Sequence, residues 1–368
     1  MIDEYIIVMH AFKNGGTENL FISITEQIPN INFYLLSISN EVDYHQISKL
    51  PKNVHFIHCK YKSILTRFIK LESYLSKNYK NVPCIIDFHE TLLSEVFTLI
   101  NSRKKICVHW FNSNPSMRLK NKKIDLYYRF YSLYKKTICI CQTQKEILMR
   151  TVPKINRDSI LVSYNFVNIP QIIDKSKVSI DFNYKYIFHV SRIDFGSKDL
   201  QTLIRAYEIL PNYVTSIYKL VIAGDGPDFE KLKNIRDKSI QKDNIFLLGN
   251  LQNPYVWMRN ASLFVVSSLV EGFSLTLLEA LCLGCPIISS DFLCGAREIL
   301  EFNEQKYGLI FKIGDSKELS SLMVKILINE DFAKEFMKKA PERAEYFYIN
   351  GLEMMKDIFN NKRLLDTK

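Results

Sequence analysis

Hydrophobic and polar positions along the chain change period repeatedly. Short apolar runs rich in β-branched and aromatic residues alternate with stretches whose apolar residues recur three and four apart. That alternation predicts parallel sheets covered by helices. In the first half it predicts strands at Tyr5–Met9, Phe33–Ser37, Val54–His58, Cys84–Phe88, Ile106–Trp110, Thr137–Cys141 and Ile160–Ser163. Helices are predicted between them over 17–28, 62–79, 91–101, 122–136 and 143–151. Pro170–Asn183 is polar and weakly patterned, and reads as a link. The alternation then restarts, with strands at Tyr186–Val190, Lys219–Ala223, Asn244–Leu248, Leu263–Ser267, Pro286–Ser289 and Leu309–Lys312. Helices are predicted there over 199–210, 227–240, 273–283, 295–301 and 315–328. The expected organisation is an N-terminal domain over 1–169, a linker over 170–183, a C-terminal domain over 184–345, and a terminal helix over 346–368 that packs back on the first domain. The expected fold class is α/β: two Rossmann-like, doubly wound parallel-sheet domains facing a cleft. Ligands in such sheets sit beyond the carboxyl ends of the strands.

Composition narrows the class. A chain of 368 residues exceeds one ordinary core, and 47% hydrophobic with 24% charged residues describes a folded protein, not a disordered one. No apolar run reaches the ~18–20 residues that cross a bilayer. The start, MIDEYIIVMH, lacks the basic region and cleavage site of a secretory signal, so a cytoplasmic location is expected. The cysteines fit that location. Cys282-x-x-Cys285 has no second close pair at zinc-site spacing, and the thiols read as buried hydrophobes.

The net charge of +10 is uneven: residues 1–178 carry 25 Lys and Arg against 14 Asp and Glu, and the remainder 24 against 25. Lys60–Lys80 and Arg118–Lys136 concentrate the cations and interleave them with Ile, Leu, Phe and Tyr. Helices of that kind suit an anionic membrane surface, and the chain could therefore be peripheral on the inner face of the membrane. Solvated helices that only keep the protein soluble fit equally. No nucleic-acid motif accompanies the basic stretches, and nucleic acid is not an expected partner.

Candidate chemistry gathers in the second half. Glu271-Gly272-Phe273-Ser274-Leu275-Thr276-Leu277-Leu278-Glu279 follows an apolar strand and opens a helix. Amides at a helix start bind anions or hydroxyls, one carboxylate there can accept hydrogen bonds from a sugar, and the second can hold a ribose. Taken alone, the two glutamates could equally be a dipole-favoured and a solvated residue. Upstream, Arg192 and Lys198 stand six residues apart in the loop after the domain's first strand. Gly224-Asp225-Gly226-Pro227 turns after the next strand, and Gly295-Ala296-Arg297-Glu298 follows downstream.

In order and spacing these motifs resemble the donor-binding domain of the retaining glycosyltransferases of family 4, the group 1 type, which have the GT-B fold. The motif similarity covers about residues 186–316, and E-x7-E with the Arg/Lys pair and GDGP is its specific part. The resemblance implies that Arg192 and Lys198 hold the diphosphate of a nucleotide sugar and stabilise its departure. It implies that Glu271 and the amides of Phe273, Ser274 and Leu275 orient the donor sugar, that Gly224 lines the donor site, and that Glu279 accepts from the ribose. For Glu298 a loop-bracing role and a ligand role both stand. Asn14-Gly15-Gly16-Thr17-Glu18 resembles the family's N-terminal glycine loop, which places Gly15 and Gly16 near the donor phosphates; a plain capped turn is the alternative.

The family commonly carries a histidine near the acceptor in its first domain. His109 and His89 both follow apolar strands, and by register Asn112 can occupy that place instead; His10 is a minor candidate. No Asp-x-Asp occurs, so no metal and no other cofactor is expected. The expected activity is retaining transfer of a hexose-type sugar from a nucleotide sugar, UDP-linked by expectation. The acceptor is expected to be a glycan or lipid-linked glycan in lipopolysaccharide, O-antigen or capsule synthesis. A nucleotide-sugar epimerase or phosphorylase of the same fold, or a non-catalytic glycan-binding protein, is the alternative. No G-x-G-x-x-G follows the first strand of either half, which argues against a dinucleotide-dependent dehydrogenase.

Overall fold

A computed structural model describes residues 3–13, 15–58, 64–88, 91–102, 105–111, 133–152 and 155–360. The chain divides into two units, Met1–Asn165 with Ile349–Lys368, and Phe166–Tyr348. Among the described residues no helix is long and apolar enough to cross a membrane.

The first unit is built on strands β1 (Glu4–Met9), β2 (Asn32–Ser37), β3 (Val54–His58), β4 (Cys84–Asp87), β5 (Ile106–Phe111), β6 (Lys136–Cys139) and β7 (Ile160–Val162). They pair in parallel in the order β3-β2-β1-β4-β5-β6-β7. Their near-continuous apolar runs are explained by helices on both faces, which leave no wet side to the sheet. Ile6, Val8, Leu36 and Ile85 of the sheet form one core with Leu71 and Leu75 of the helix Ile64–Asn78. That helix lies in the first basic stretch, so part of its apolar stripe is spent on the core, while Ile69 and Tyr74 remain exposed. Most of the second basic stretch lies outside the described residues. Phe359, at the end of the helix Glu330–Phe359, packs edge-on to Tyr5 and Phe33, and its carbonyl accepts from the Tyr5 hydroxyl at 2.8 Å.

The second unit holds β8 (Lys185–Val190), β9 (Tyr218–Ala223), β10 (Ile245–Leu247), β11 (Leu263–Val266) and β12 (Ile287–Ser290). A two-stranded antiparallel pair, β13 (Glu301–Phe302) and β14 (Gln305–Lys306), precedes β15 (Leu309–Phe311). The main sheet is parallel, in the order β10-β9-β8-β11-β12-β15. The chain moves outward from β8 through β9 to β10, then returns to the other side of β8 as β11. The loops leaving β8 and β11 therefore diverge over a switch point, where open α/β sheets place their ligands.

The stretch read as a link begins differently. Ile169–Lys175 is a helix of the second unit, with Asn168 Oδ1 accepting from the Gln171 amide at 3.2 Å and Pro170 in its first turn. A capping Asn, a Pro at the helix start and a buried Ile172 supply a start signal that weak periodicity over 170–183 conceals. The chain divides at Asn165/Phe166, before that helix.

Candidate active site

The loop after β8 is held from below by the turn after β9. Gly224 adopts φ +126°, and a Cβ there would lie 1.8 Å from the Ser191 carbonyl oxygen. At Gly226 a Cβ would lie 2.3 Å from the Ile193 carbonyl oxygen. At Gly224 only glycine permits both the dihedral and the contact, and at Gly226 only glycine permits the contact. The Ile193 amide donates to the Asp225 carbonyl at 3.0 Å, and the Phe195 amide to Asp228 Oδ2 at 2.8 Å. Gly224 thus supports the segment that carries Arg192 and Lys198. Arg192 itself is exposed.

The same segment is stitched to the loop after β11. The Asp199 amide donates to the Ser267 carbonyl at 2.6 Å and the Leu269 amide to the Ser197 carbonyl at 2.8 Å, with Lys198 and Ser268 in an antiparallel bridge. Lys198 Nζ thereby meets Glu271 Oε1 in an ion pair whose side chains keep 15% and 18% of their surface exposed. Ser268 Oγ donates to the same Glu271 oxygen at 2.7 Å and lies 3.4 Å from Lys198 Nζ. From β12, Ser290 Oγ donates to the Ser268 carbonyl at 2.7 Å and accepts from the Ser268 amide at 2.9 Å.

Beneath the pair lies His189, fully inside β8. Its Nδ1 is 2.8 Å from the Val265 carbonyl and its Nε2 2.8 Å from Ser191 Oγ. A carbonyl only accepts, so Nδ1 carries the proton and Nε2 accepts from the Ser191 hydroxyl. Burial pushes the imidazole down to about 4, so the ring is neutral at physiological pH.

Glu271 precedes the helix Leu275–Cys282, and Glu279 sits on it. The N-cap Ser274 makes no side-chain cap bond; its hydroxyl lies 3.0 Å from Thr276 Oγ1. The opening amides of this helix, including that of Leu275, take no cap from Ser274 and carry the positive end of the dipole. Phe273 is buried edge-on against Phe347, which fixes the turn between Glu271 and the helix. Glu279 is half-buried and accepts from the Tyr255 hydroxyl at 3.1 Å. Burial pushes its carboxyl up to about 7, opposed by the Tyr255 hydrogen bond and by Lys175. Glu298 shares its short helix Ala296–Leu300 with Arg297, which pairs with Asp291, and the Glu298 carbonyl accepts from buried Arg343.

In the first unit Gly15 is the N-cap of the helix Gly16–Gln27, and its extended backbone faces the Glu18 carboxylate. The Glu18 side chain is buried, with its Oε1 3.4 Å from the Lys13 amide. Asn14, His89 and Asn112 lie outside the described residues. His109 lies within β5 with no exposed surface, its Nδ1 3.6 Å from Asp87 Oδ2, and Tyr134 donates to the same oxygen at 3.3 Å. The ring is thus enclosed beside Asp87 and Tyr134. Ligand-type atoms of Asp87, Glu95 and His109 come within 4.8 Å of one another, the grouping among the described residues that could hold a cation. Asp87 and Glu95 carry no motif in the sequence. The same holds for His189, Ser268, Ser290 and Tyr255, whose parts depend on neighbours brought from other strands.

Lys198 and Glu271 are thus brought together, and Glu279 follows on the adjoining helix. Residues 171–343 match the family model described as glycosyl transferases group 1. A Campylobacter jejuni protein named N-acetylgalactosamine-N,N'-diacetylbacillosaminyl-diphospho-undecaprenol 4-alpha-N-acetylgalactosaminyltransferase is 25% identical, covering 93% of this chain and 94% of its own length. An uncharacterized glycosyltransferase of Methanocaldococcus jannaschii is 29% identical over 75% of this chain and 74% of that protein. Among solved structures, Anabaena Alr3699/HepE in complex with UDP and glucose superposes with a TM-score of 0.81 at 16% identity, over 97% of this chain and 99% of that one. The fold is accordingly that of the GT-B glycosyltransferases, two parallel-sheet Rossmann-like domains. The family match and these relatives support a glycosyltransferase of group 1, and the segment that carries the family signature is 171–343.

Proposed function

We propose that this chain is a retaining, metal-independent glycosyltransferase of family 4 that moves a hexose-type sugar from a UDP-linked donor to a glycan acceptor. The observation that carries the reading is the meeting of Lys198 with Glu271 over the β8/β11 switch point, beside the uncapped start of the helix that bears Glu279. Arg192 and Lys198 would hold the diphosphate, with the Phe273, Ser274 and Leu275 amides and Gly15 and Gly16 supporting it. Glu271 would orient the sugar and Glu279 the ribose. The acceptor hydroxyl attacks the anomeric carbon on the face the diphosphate leaves. The anomeric C–O bond to phosphate breaks, the new glycosidic bond forms, and the departing phosphate oxygen takes the hydroxyl proton. Cations and helix amides supply the charge stabilisation that leaving group needs.

In this reading residues 1–169 bind the acceptor and 184–345 bind the donor. The Campylobacter relative is named for an undecaprenol-diphosphate-linked substrate, and the basic first half suits such a glycan at an anionic membrane surface. His109 is the catalytic candidate of the first unit, and His89 and Asn112 are the acceptor-side candidates.

The decisive measurement is the anomeric configuration of the product by NMR: retention is expected, and inversion overturns the mechanism. Glu271→Ala and Lys198→Ala are each expected to abolish turnover with the circular dichroism spectrum unchanged. Activity surviving in both removes the site. Flotation with anionic and neutral vesicles tests the membrane surface, and equal partition into both removes it.

A further inference from the structure

Glu279 is better placed than a solvated glutamate on a helix needs to be. Three helices meet around it: Ile169–Lys175, Tyr255–Asn260 and Leu275–Cys282, each packed on the other two. The Tyr255 helix is braced at both ends. Asn253 Oδ1 accepts from the Tyr255 amide at 3.3 Å while its Nδ2 donates to the Lys175 carbonyl at 2.8 Å, and Arg259 donates to Ser176 Oγ at 3.0 Å. A phenol fixed in this way cannot drift from its partner. Burial drives the Tyr255 hydroxyl well above its ordinary value, so it stays protonated and donates to Glu279 Oε1 at 3.1 Å. Among the described residues Glu279 Oε2 takes no hydrogen bond, and the residue is half-buried rather than sealed in the core.

We propose that Tyr255 is a positioning residue that aims the Glu279 carboxylate at the vicinal hydroxyls of a ribose, so that the site selects ribonucleoside over 2′-deoxyribonucleoside diphosphates. The proposal rests on the nucleotide-sugar reading given above. A carboxylate accepts from both hydroxyls of a cis diol, and a site built to accept from a hydroxyl rejects the analogue that lacks it, because a buried polar group is left unpaired. Two hydrogen bonds to one carboxylate also require its orientation to be set before the ligand arrives, which Tyr255 does. The groups facing Glu279 are Tyr255 and Cys282 beside it and the Lys175 ammonium from the third helix. Removing the Tyr255 hydroxyl removes one of the contacts that favour the charged form. The carboxyl of Tyr255→Phe then protonates at higher pH than in the parent.

Isothermal titration with UDP and with 2′-deoxy-UDP, from about pH 6 to about pH 8.5, tests this on the full chain. The parent is expected to prefer UDP by about tenfold or more, and to lose UDP affinity as pH falls through the Glu279 range. Tyr255→Phe is expected to bind UDP several-fold more weakly, to discriminate less against 2′-deoxy-UDP, and to lose affinity at higher pH. A residue that merely packs would lower affinity for both nucleotides alike and leave the pH midpoint in place. Glu279→Gln separates the layers. If it weakens UDP binding while Tyr255→Phe changes neither discrimination nor pH midpoint, the proposal is overturned and the nucleotide reading stands. If Glu279→Gln leaves UDP affinity unchanged, both are overturned.

Discussion

Ser290 clamps Ser268 from the neighbouring strand, its hydroxyl donating to the Ser268 carbonyl at 2.7 Å and accepting from the Ser268 amide at 2.9 Å. The clamp sits directly behind the Ser268 hydroxyl that holds Glu271. Both serines are buried, so neither backbone group has water as a substitute partner. A side chain on β12 therefore fixes the direction of a carboxylate in the loop after β11.

Ser290→Ala is expected to leave the Ser268 amide and carbonyl unsatisfied, at a cost of about 2–3 kcal/mol in urea unfolding. Turnover is expected to fall with it, because Glu271 loses its rigid neighbour. Ser268→Ala removes only the hydroxyl contact to Glu271, and should lower turnover with a smaller loss of stability. Equal stability losses in the two variants would contradict the clamp.

The Lys198–Glu271 pair offers a second test, because each partner is mostly shielded and each compensates the other. Lys198→Met and Glu271→Gln should each destabilise the fold by about 1–2 kcal/mol, discounted from fully buried pairs for their residual exposure. The double variant should recover part of that loss, since no lone charge remains. A double-mutant cycle on chemical denaturation gives the coupling directly. Simple additivity would mean that the pair is not formed in solution.

Much of this architecture was legible from periodicity. Apolar runs such as Tyr5–Met9 and Leu263–Ser267 lie on strands Glu4–Met9 and Leu263–Val266, because strands buried on both faces need unbroken hydrophobicity. The Ile169–Lys175 helix escaped because its start signal, Asn168 and Pro170, stands in front of a short and largely polar turn. Within the candidate site, Arg192, Lys198, Glu271 and Glu279 could be singled out in the sequence, because their motifs resemble those of a known family. Ser290 and Tyr255 could not: a serine ending an apolar strand and a tyrosine in a short helix acquire meaning only from the strand or helix that packs beside them. His109 shows the converse. Its place in an apolar run reads as a strand end, yet β5 continues to Phe111 and encloses it.

His189 makes the stability of the fold depend on pH in a stated direction. Its ordinary value of 6.5 is lowered to about 4 in the folded chain, so over that interval the unfolded chain binds the proton more readily. The stabilisation is complete above about pH 6.5 and is lost as pH falls toward about pH 4. Replacing the ring removes this dependence. His189→Gln should be less stable than the parent at neutral pH, because the Val265 and Ser191 contacts are disturbed, yet show a shallower loss between about pH 6.5 and about pH 4 in thermal melts. An unchanged slope would mean that His189 is not the group responsible.

Glu279 works in the opposite sense. Its carboxyl rises from 4.5 to about 7 in the folded chain, so the folded state holds the proton more tightly than the unfolded state does. Below about pH 4.5 the group is protonated in both states and its burial carries no ionisation cost. As pH climbs past that value the cost grows, and it is complete above about pH 7. Glu279→Gln keeps the size and loses the charge. It is therefore expected to raise Tm at about pH 8 and to leave it nearly unchanged at about pH 4.5. The same substitution is expected to weaken UDP binding, because an amide offers one acceptor oxygen where a carboxylate offers two. A residue kept at the expense of stability and needed for ligand is what a binding site produces and a packing role does not. Differential scanning fluorimetry at both pH values, with and without UDP, reads the two effects in one experiment. A variant less stable than the parent at about pH 8 without ligand would show that the Tyr255–Glu279 contact stabilises the fold by more than the desolvated charge costs.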